Sequence, residues 1–208
     1  MSETWIDDQL VARGIHDPRV LDAMRRVPRH RFVDPNALGF AYADRALPIG
    51  DGQTISQPYM VAAMTEALKL RGHERVLDVG TGSGYQAAIL AELAREVVTI
   101  ERLPDLADAA CERLESLGYR NVRVVTGDGS VGFSESAPYD GILVAAAAPR
   151  VPVSLKQQLA EGGRLVIPVG PPDHQRLTFV TRSANNFVEA VQEGCVFVLL
   201  LGAEGWPD

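Results

Sequence analysis

Cysteine and histidine are the scarcest chemistry-bearing residues of this chain, and their placement excludes whole classes of function. The only two cysteines, Cys111 and Cys195, lie far apart, with no C-x-x-C and no Cys/His ligand spacing, so neither a metal site nor a dithiol redox centre finds support. Both are expected to be buried as small hydrophobes. His16, His30, His73 and His174 are scattered and fit no triad or ligand pattern, so surface or structural roles are expected. Positive charge is also in deficit: 20 Lys and Arg stand against 27 Asp and Glu, a net charge of −7. With no clustered basic run, a nucleic-acid backbone is excluded as the main partner. No apolar run approaches the roughly 18 residues needed to span a bilayer, so no membrane partner is expected. The opening residues, Met1-Ser-Glu-Thr-Trp-Ile-Asp-Asp8, lack the basic and apolar regions of a secretory leader, and the cytoplasm is the expected compartment.

What is present is enough apolar mass for one full core. With 208 residues, 46% of them hydrophobic, the chain is expected to fold as a single domain. Its most informative stretch is Val76-Leu-Asp-Val-Gly-Thr-Gly-Ser-Gly-Tyr85, an apolar strand that opens into a glycine turn. Glycines at 80, 82 and 84 allow positive φ and a close backbone approach to a ligand. The following Gln86–Ala94 consists of good helix formers, whose first N–H groups would face that ligand. The next strand ends at Glu101, about twenty residues beyond the loop, where α/β nucleotide folds hold a ribose. By itself such a loop also serves as an ordinary tight turn between strand and helix.

The glycine spacing separates cofactor classes. A dinucleotide fingerprint requires G-x-G-x-x-G; here the third glycine arrives one residue early and Tyr85 takes the expected place. Asp78 would repel a phosphate, whereas it suits a ligand carrying an ammonium and a sulfonium. S-adenosylmethionine is such a ligand.

Along the chain, residues 5–13 read as one amphipathic helix. Asp17-Pro18 then reads as a cap-then-proline helix start, leading into Val20, Leu21, Met24 and Val27 on one face. Residues 28–57 are irregular and rich in Pro, Gly and Asp, which predicts a long ordered loop rather than a core element, and loops of that length are often functional. A helix is predicted from Pro58 to about Leu70. Beyond it strands and helices alternate: strand 96–101, helix 104–117, strand 122–126, a Gly-Asp-Gly turn at 127–129, strand 139–145, helix 153–159 and strand 164–169. Three further strands, near 176–182, 187–192 and 195–201, are expected to pair antiparallel. Alternation of this kind implies a parallel sheet with right-handed crossovers.

Beside the glycine loop stand Leu47-Pro-Ile-Gly50 and Gly52-Gln-Thr-Ile-Ser-Gln-Pro-Tyr-Met-Val61. With Val27-Pro-Arg29, Phe32-Val33, Tyr139–Val144, Gly162-Gly163, Leu165–Gly170 and the ending Phe197–Trp206, these resemble the motifs of protein-L-isoaspartate O-methyltransferases over nearly the whole chain. One departure is visible, since Leu199 stands where the family usually has proline.

The resemblance implies a doubly wound, mostly parallel α/β sheet of the class I, Rossmann-like methyltransferase type. Residues 1–59 would supply N-terminal helices and a substrate-side loop, and residues 60–208 the cofactor core. It implies methyl transfer from S-adenosylmethionine to the free α-carboxylate of L-isoaspartyl residues in damaged proteins and peptides, by a monomer. Ser56 matches the family's active-site serine, with Thr54, Ile55 and Val198 beside the substrate. Asp78, Gly80, Thr81, Gly82, Ser83, Gly84, Glu101, Asp128 and Gly129 are the expected cofactor residues, Glu101 accepting from the ribose hydroxyls and Asp128 reaching the adenine amino group. Each has a plainer alternative: Thr54, Ser56 or Gln57 as helix caps, Asp128 as a routine turn residue, Glu101 as a strand-end acid. Two other functions remain open, a methyltransferase sharing only the cofactor half and a non-enzymatic nucleotide-binding module. The segment 47–61 separates the first from the family reading, because a generic cofactor domain has no need of it.

Overall fold

Strand β3 (Arg75–Val79) is the axis of the molecule. Its β-branched and leucine side chains fit a sheet buried on both faces, and it pairs in parallel with β4 (Glu96–Glu101) on one side and β6 (Tyr139–Val144) on the other. The computed structural model describes residues 4–184 and 186–207. With β5 (Val122–Thr126), β7 (Leu159–Val169), β8 (Gln175–Ser183) and β9 (Asn186–Cys195), the order is β5-β4-β3-β6-β7-β8-β9. The strands from β5 to β7 run parallel, and β7-β8-β9 run antiparallel. The chain leaves β3 toward β4 and later returns to β6 on the opposite side, so the strand order reverses at the carboxyl end of β3. Ligands bind at such switch points.

Alternate residues of the central strands feed two apolar layers. Val76, Val97 and Leu143 pack on the face covered by α2 (Pro18–Arg26), α3 (Pro58–Leu68) and α4 (Tyr85–Ala91). Leu77, Val79, Val98, Ile100, Ile142 and Val144 pack on the other, with Leu155 of α6 (Val153–Gln157) and Leu200. Helix α5 (Pro104–Ser116) follows β4 and brings Leu114 and Ala110 against Gly84. No helix of the described residues is long and apolar enough to cross a membrane.

Several sequence expectations are corrected here. Residues 5–13 split into α1 (Thr4–Gln9) and a 3-10 turn at Val11–Arg13, because the chain closes at Gly14 in the left-handed conformation. Asp17 does cap α2, accepting from the Arg19 N–H. Residues 28–57 are more than a loop: they hold 3-10 turns at Arg29–Arg31 and Pro35–Phe40 and a hairpin of β1 (Leu47–Gly50) and β2 (Gln53–Ile55), and they bury Arg29 and Phe32 in the core. The two cysteines are half-buried, not enclosed.

The strand expected at 195–201 does not form as such. β9 ends at Cys195, the buried Gln175 side chain accepts from the Phe197 N–H and donates to the Phe197 carbonyl, and isolated parallel bridges of Leu199 to Ala147 and of Leu201 to Trp206 follow in place of a strand. Beside Ala147, the Val198 carbonyl accepts and the Leu200 N–H donates, while the Leu199 N–H enters no backbone hydrogen bond among the described residues. A proline at 199 would therefore forfeit no backbone hydrogen bond.

Candidate active site

The carboxyl end of β3 opens into a cleft lined by the glycine loop, the ends of the neighbouring strands and the N-terminal segment, the kind of concave setting in which small molecules bind. Its floor is Val79, Gly80, Thr81, Gly82 and Ser83; one side is Ile100, Glu101, Arg102 and Leu103, and the other is Ala145 and Ala146 with Val198–Leu201. Gly129 closes the lower wall, and Gln53, Thr54, Ile55 and Ser56 close the end opposite the sheet.

Backbone conformation explains why glycine is needed in this loop. Gly84 has φ +88° and begins α4, and a Cβ there would meet Leu114 Cγ at 3.3 Å. At Gly129 the limit is space, since a Cβ would lie 2.5 Å from Val79 Cγ1.

Three carboxylates frame the cleft in different ways. Glu101 fastens the glycine loop to β4: one oxygen accepts from the Gly82 N–H at 2.9 Å, and the other from the Arg102 and Leu103 N–H groups at 2.9 and 3.1 Å. A carboxylate offers about four acceptor positions, so one remains for a ligand. Asp78 lies behind the loop and is fully buried. Its Oδ2 accepts from the Thr99 hydroxyl at 2.8 Å, the Thr99 and Thr81 hydroxyls are hydrogen-bonded at 2.6 Å, and Oδ1 has no partner. Burial raises its pKa to about 7; the Thr99 hydrogen bond opposes this and the nearby Glu101 charge adds to it. Asp128 turns away from the cleft. Its carboxylate accepts from the Ser130 N–H and hydroxyl and from the Ala203 N–H. Burial alone would raise its pKa, but those bonds and the Arg102 charge hold it below the usual carboxylate value.

The acceptor end is built by the N-terminal segment. Leu47 pairs with Ile55 and both are buried, while Ile49 Cδ1 lies 3.2 Å from where a Gly82 Cβ would stand, so the β1-β2 hairpin rests on the glycine loop. Ser56 follows β2 and is half-buried on the cleft wall. The capping alternative for this stretch is not used: Gln57 is the N-cap of α3 but makes no side-chain cap, its amide donating instead to Asp44.

The structure therefore brings Thr54, Ile55, Ser56, Gly80, Thr81, Gly82, Ser83, Glu101, Gly129 and Val198 to one cleft. Gly84, Asp78 and Asp128 stand off it, as packing, buried and turn residues respectively. Sequence reasoning missed the lining side chains Gln53, Arg102, Leu103, Ala145 and Ala146. Their signal was positional only, since Arg102 and Ala145 directly follow strands whose carboxyl ends meet at the switch point.

A family model described as protein-L-isoaspartate(D-aspartate) O-methyltransferase matches residues 2–205. The chain is 54% identical over 204 residues to the protein-L-isoaspartate O-methyltransferase of Methanoculleus marisnigri, covering 98% of this chain and 93% of the relative. It is 58% identical over 201 residues to protein-L-isoaspartate O-methyltransferase 2 of Marinobacter nauticus, covering 96% and 92%. Among solved structures, one protein-L-isoaspartate O-methyltransferase superposes with a TM-score of 0.89 at 29% identity, over 98% of this chain and 67% of that one. A Plasmodium falciparum structure so described, in complex with S-adenosyl-L-homocysteine, gives 0.82 at 26% identity, over 96% and 97%.

Proposed function

Because the chain belongs to the protein-L-isoaspartate(D-aspartate) O-methyltransferase family, we propose a division of labour among its residues. The activity is that of an S-adenosylmethionine-dependent protein carboxyl O-methyltransferase, acting on the free α-carboxylate of L-isoaspartyl residues in damaged proteins and peptides. Residues 1–59 form the acceptor side and residues 60–208 the cofactor side of one domain, working as a monomer in the cytoplasm.

The observation that carries this reading is the juxtaposition, in one cleft, of Ser56 with the glycine loop and Glu101. The residues present fit the cofactor. Glu101 has an acceptor position left for a ribose hydroxyl, Gly129 leaves room that a Cβ would fill, and the unpartnered Oδ1 of Asp78 belongs to a buried acid that a cationic ligand nearby would favour in its ionised form. Asp78 acts from behind the loop, and Asp128, engaged by Ser130 and Ala203 off the cleft, shapes the wall that Gly129 lines without touching the adenine itself. When bound, S-adenosylmethionine supplies an electrophilic methyl group.

The chain's own residues then have a positioning task. The acceptor carboxylate is ionised at neutral pH, its ordinary pKa being about 4, so the protein needs no strong general base. The Ser56 hydroxyl donates to that carboxylate and fixes which oxygen faces the methyl group. Thr54, Ile55 and Val198 hold the peptide in register and exclude water. An isoaspartyl residue routes the main chain through its side-chain carbonyl and leaves the α-carboxylate as a short branch. A normal aspartate carries its carboxylate one carbon further from the backbone. Since reacting atoms must approach to about 3–3.5 Å, a fixed backbone register admits one and not the other.

The test is a pair of peptides differing only in Asp against isoAsp. The isoAsp peptide is expected to accept labelled methyl groups and its twin to give background; equal labelling of both defeats the reading. For Ser56→Ala, the methylation rate is expected to fall about 10- to 100-fold, the value of a hydrogen bond to a charged group worth ~1.5–3 kcal/mol, with S-adenosylhomocysteine affinity and thermal midpoint unchanged.

A further inference from the structure

Arg29 is the largest fully enclosed side chain among the described residues, and hydrophobic burial alone gives no reason for it to be in a core. Its Nε donates to the Ala41 carbonyl at 2.8 Å and its Nη2 to the Ser56 carbonyl at 2.7 Å, while Nη1 has no hydrogen-bond partner. No ion pair to Arg29 forms among the described residues. The guanidinium lies 4.8 Å from the centroid of the Tyr85 ring, and Phe32 packs against the same ring with centroids 5.4 Å apart. Burial lowers the Arg29 pKa, against the opposing influence of Tyr85, Tyr42 and Asp44.

An enclosed charge without a counter-ion is an expensive way to fill space, and hydrophobic residues of similar volume often replace buried ions at no loss of stability. What an apolar residue cannot do is bind two carbonyls at once. Arg29 joins the end of the 35–40 turn, the peptide bond that follows Ser56, and the aromatic ring that opens α4 on the cleft wall. The planar fork suits this, since its donors are fixed relative to one another. Fixing the Ser56 carbonyl fixes the peptide plane that follows it and so constrains where its Cβ points, in a stretch whose N-cap residue Gln57 gives α3 no side-chain cap and where Asp44 accepts from the Tyr59 N–H instead.

We propose that Arg29 is a positioning residue of the methyl-transfer site, clamping the Ser56 main chain to Ala41 and to the Tyr85 ring so that the Ser56 hydroxyl meets the acceptor carboxylate. The inference rests on the reading of Ser56 given above. It makes Arg29 act on acceptor geometry and not on cofactor binding, although its side chain touches neither.

A double-mutant cycle tests it. Arg29→Lys keeps the charge but not the two-carbonyl fork, and Arg29→Gln keeps a donor and removes the charge. In at least one of them, kcat/KM for the isoAsp peptide is expected to fall on the order of 10²-fold, the cost of misplacing a reacting group by about 1 Å. KM for S-adenosylmethionine and affinity for S-adenosylhomocysteine should stay at parent values, and the same substitution in the Ser56→Ala background should cost little further, because coupled residues are non-additive. Additive losses with Ser56→Ala slow by itself overturn the Arg29 proposal alone. A normal rate for Ser56→Ala alone overturns the Ser56 assignment and this inference with it. Weakened cofactor binding in parallel with the rate, or failure of both Arg29 variants to fold, would make Arg29 a structural element only and overturn the proposal.

Discussion

At the scale of single residues, Asp78 shows how a buried acid ties stability to pH. Its pKa rises from 3.8 to about 7, chiefly through burial, against the Thr99 hydrogen bond and with Glu101 adding. The folded chain therefore holds a proton that the unfolded chain has released between those two values. The stability this group contributes is full below about pH 4 and is lost as pH rises through about 7, a swing on the order of a few kcal/mol. Asp78→Asn is expected to flatten that decline in the ligand-free protein and to weaken S-adenosylhomocysteine binding, as thermal midpoints from pH 4 to 8 and calorimetry would report. A steeper decline in the variant would contradict the assignment. The identity of Asp78, Glu101 and Ser56 as candidates was legible in the sequence because each sits at a fixed offset from a recognisable strand end or motif. Their geometry was not. Whether a carboxylate lines a cleft or lies behind it depends on which face of β3 it occupies, and Asp128 was diverted by the Ala203 N–H, 75 residues away.

At the scale of elements, the central strands were readable because apolar β-branched runs bounded by Gly and Pro have few other solutions. The N-terminal third was not, because its structure depends on contacts across sequence: Asp44 accepts from Gln57 and Arg13, and Arg29 donates to the Ala41 and Ser56 carbonyls. The expected strand at 195–201 failed for a related reason, since the side chain of Gln175 supplies the hydrogen bonds that a neighbouring strand would have given. The junction of the 3-10 turn at Gly129–Val131 with β3 offers a direct test. Gly129→Ala places a Cβ 2.5 Å from Val79 Cγ1, overpacking that typically costs about 1–3 kcal/mol. A thermal midpoint lowered by several degrees is expected, at roughly 2–4 °C per kcal/mol for a chain of this size, together with weaker cofactor affinity. Gly39→Ala, where nothing lies within 4 Å, is the control and should leave both unchanged.

At the scale of the whole molecule, residues 203 and 204 fasten one wall of the cleft. Ala203 and Glu204 donate their N–H groups to Asp128 and Ser130, and the Glu204 carboxylate accepts from the Ser154 N–H and hydroxyl. Those bonds hold Val198–Leu201 against the same space that Gly129 lines. Ending the chain after Leu201 removes all of them, each worth about 0.5–3 kcal/mol net. The expected result is a less stable protein with raised KM for both cofactor and peptide. A shortened chain with parent kinetics would show that the wall stands without its fastening.

The cleft draws its walls from residues 53–56, 79–83, 100–103, 129, 145–146 and 198–201, a distribution with a kinetic meaning. Local contacts form early in folding, whereas pairings between distant segments must first overcome the entropy of closing the loops between them. No single hairpin or helix pair among the described residues holds enough of the cleft to bind anything, so competence needs all of these segments assembled at once. An enzyme that acts on isoaspartyl proteins thus ties its own activity to its integrity, since any loosening that parts these segments parts the cleft, whether or not the helices and strands survive.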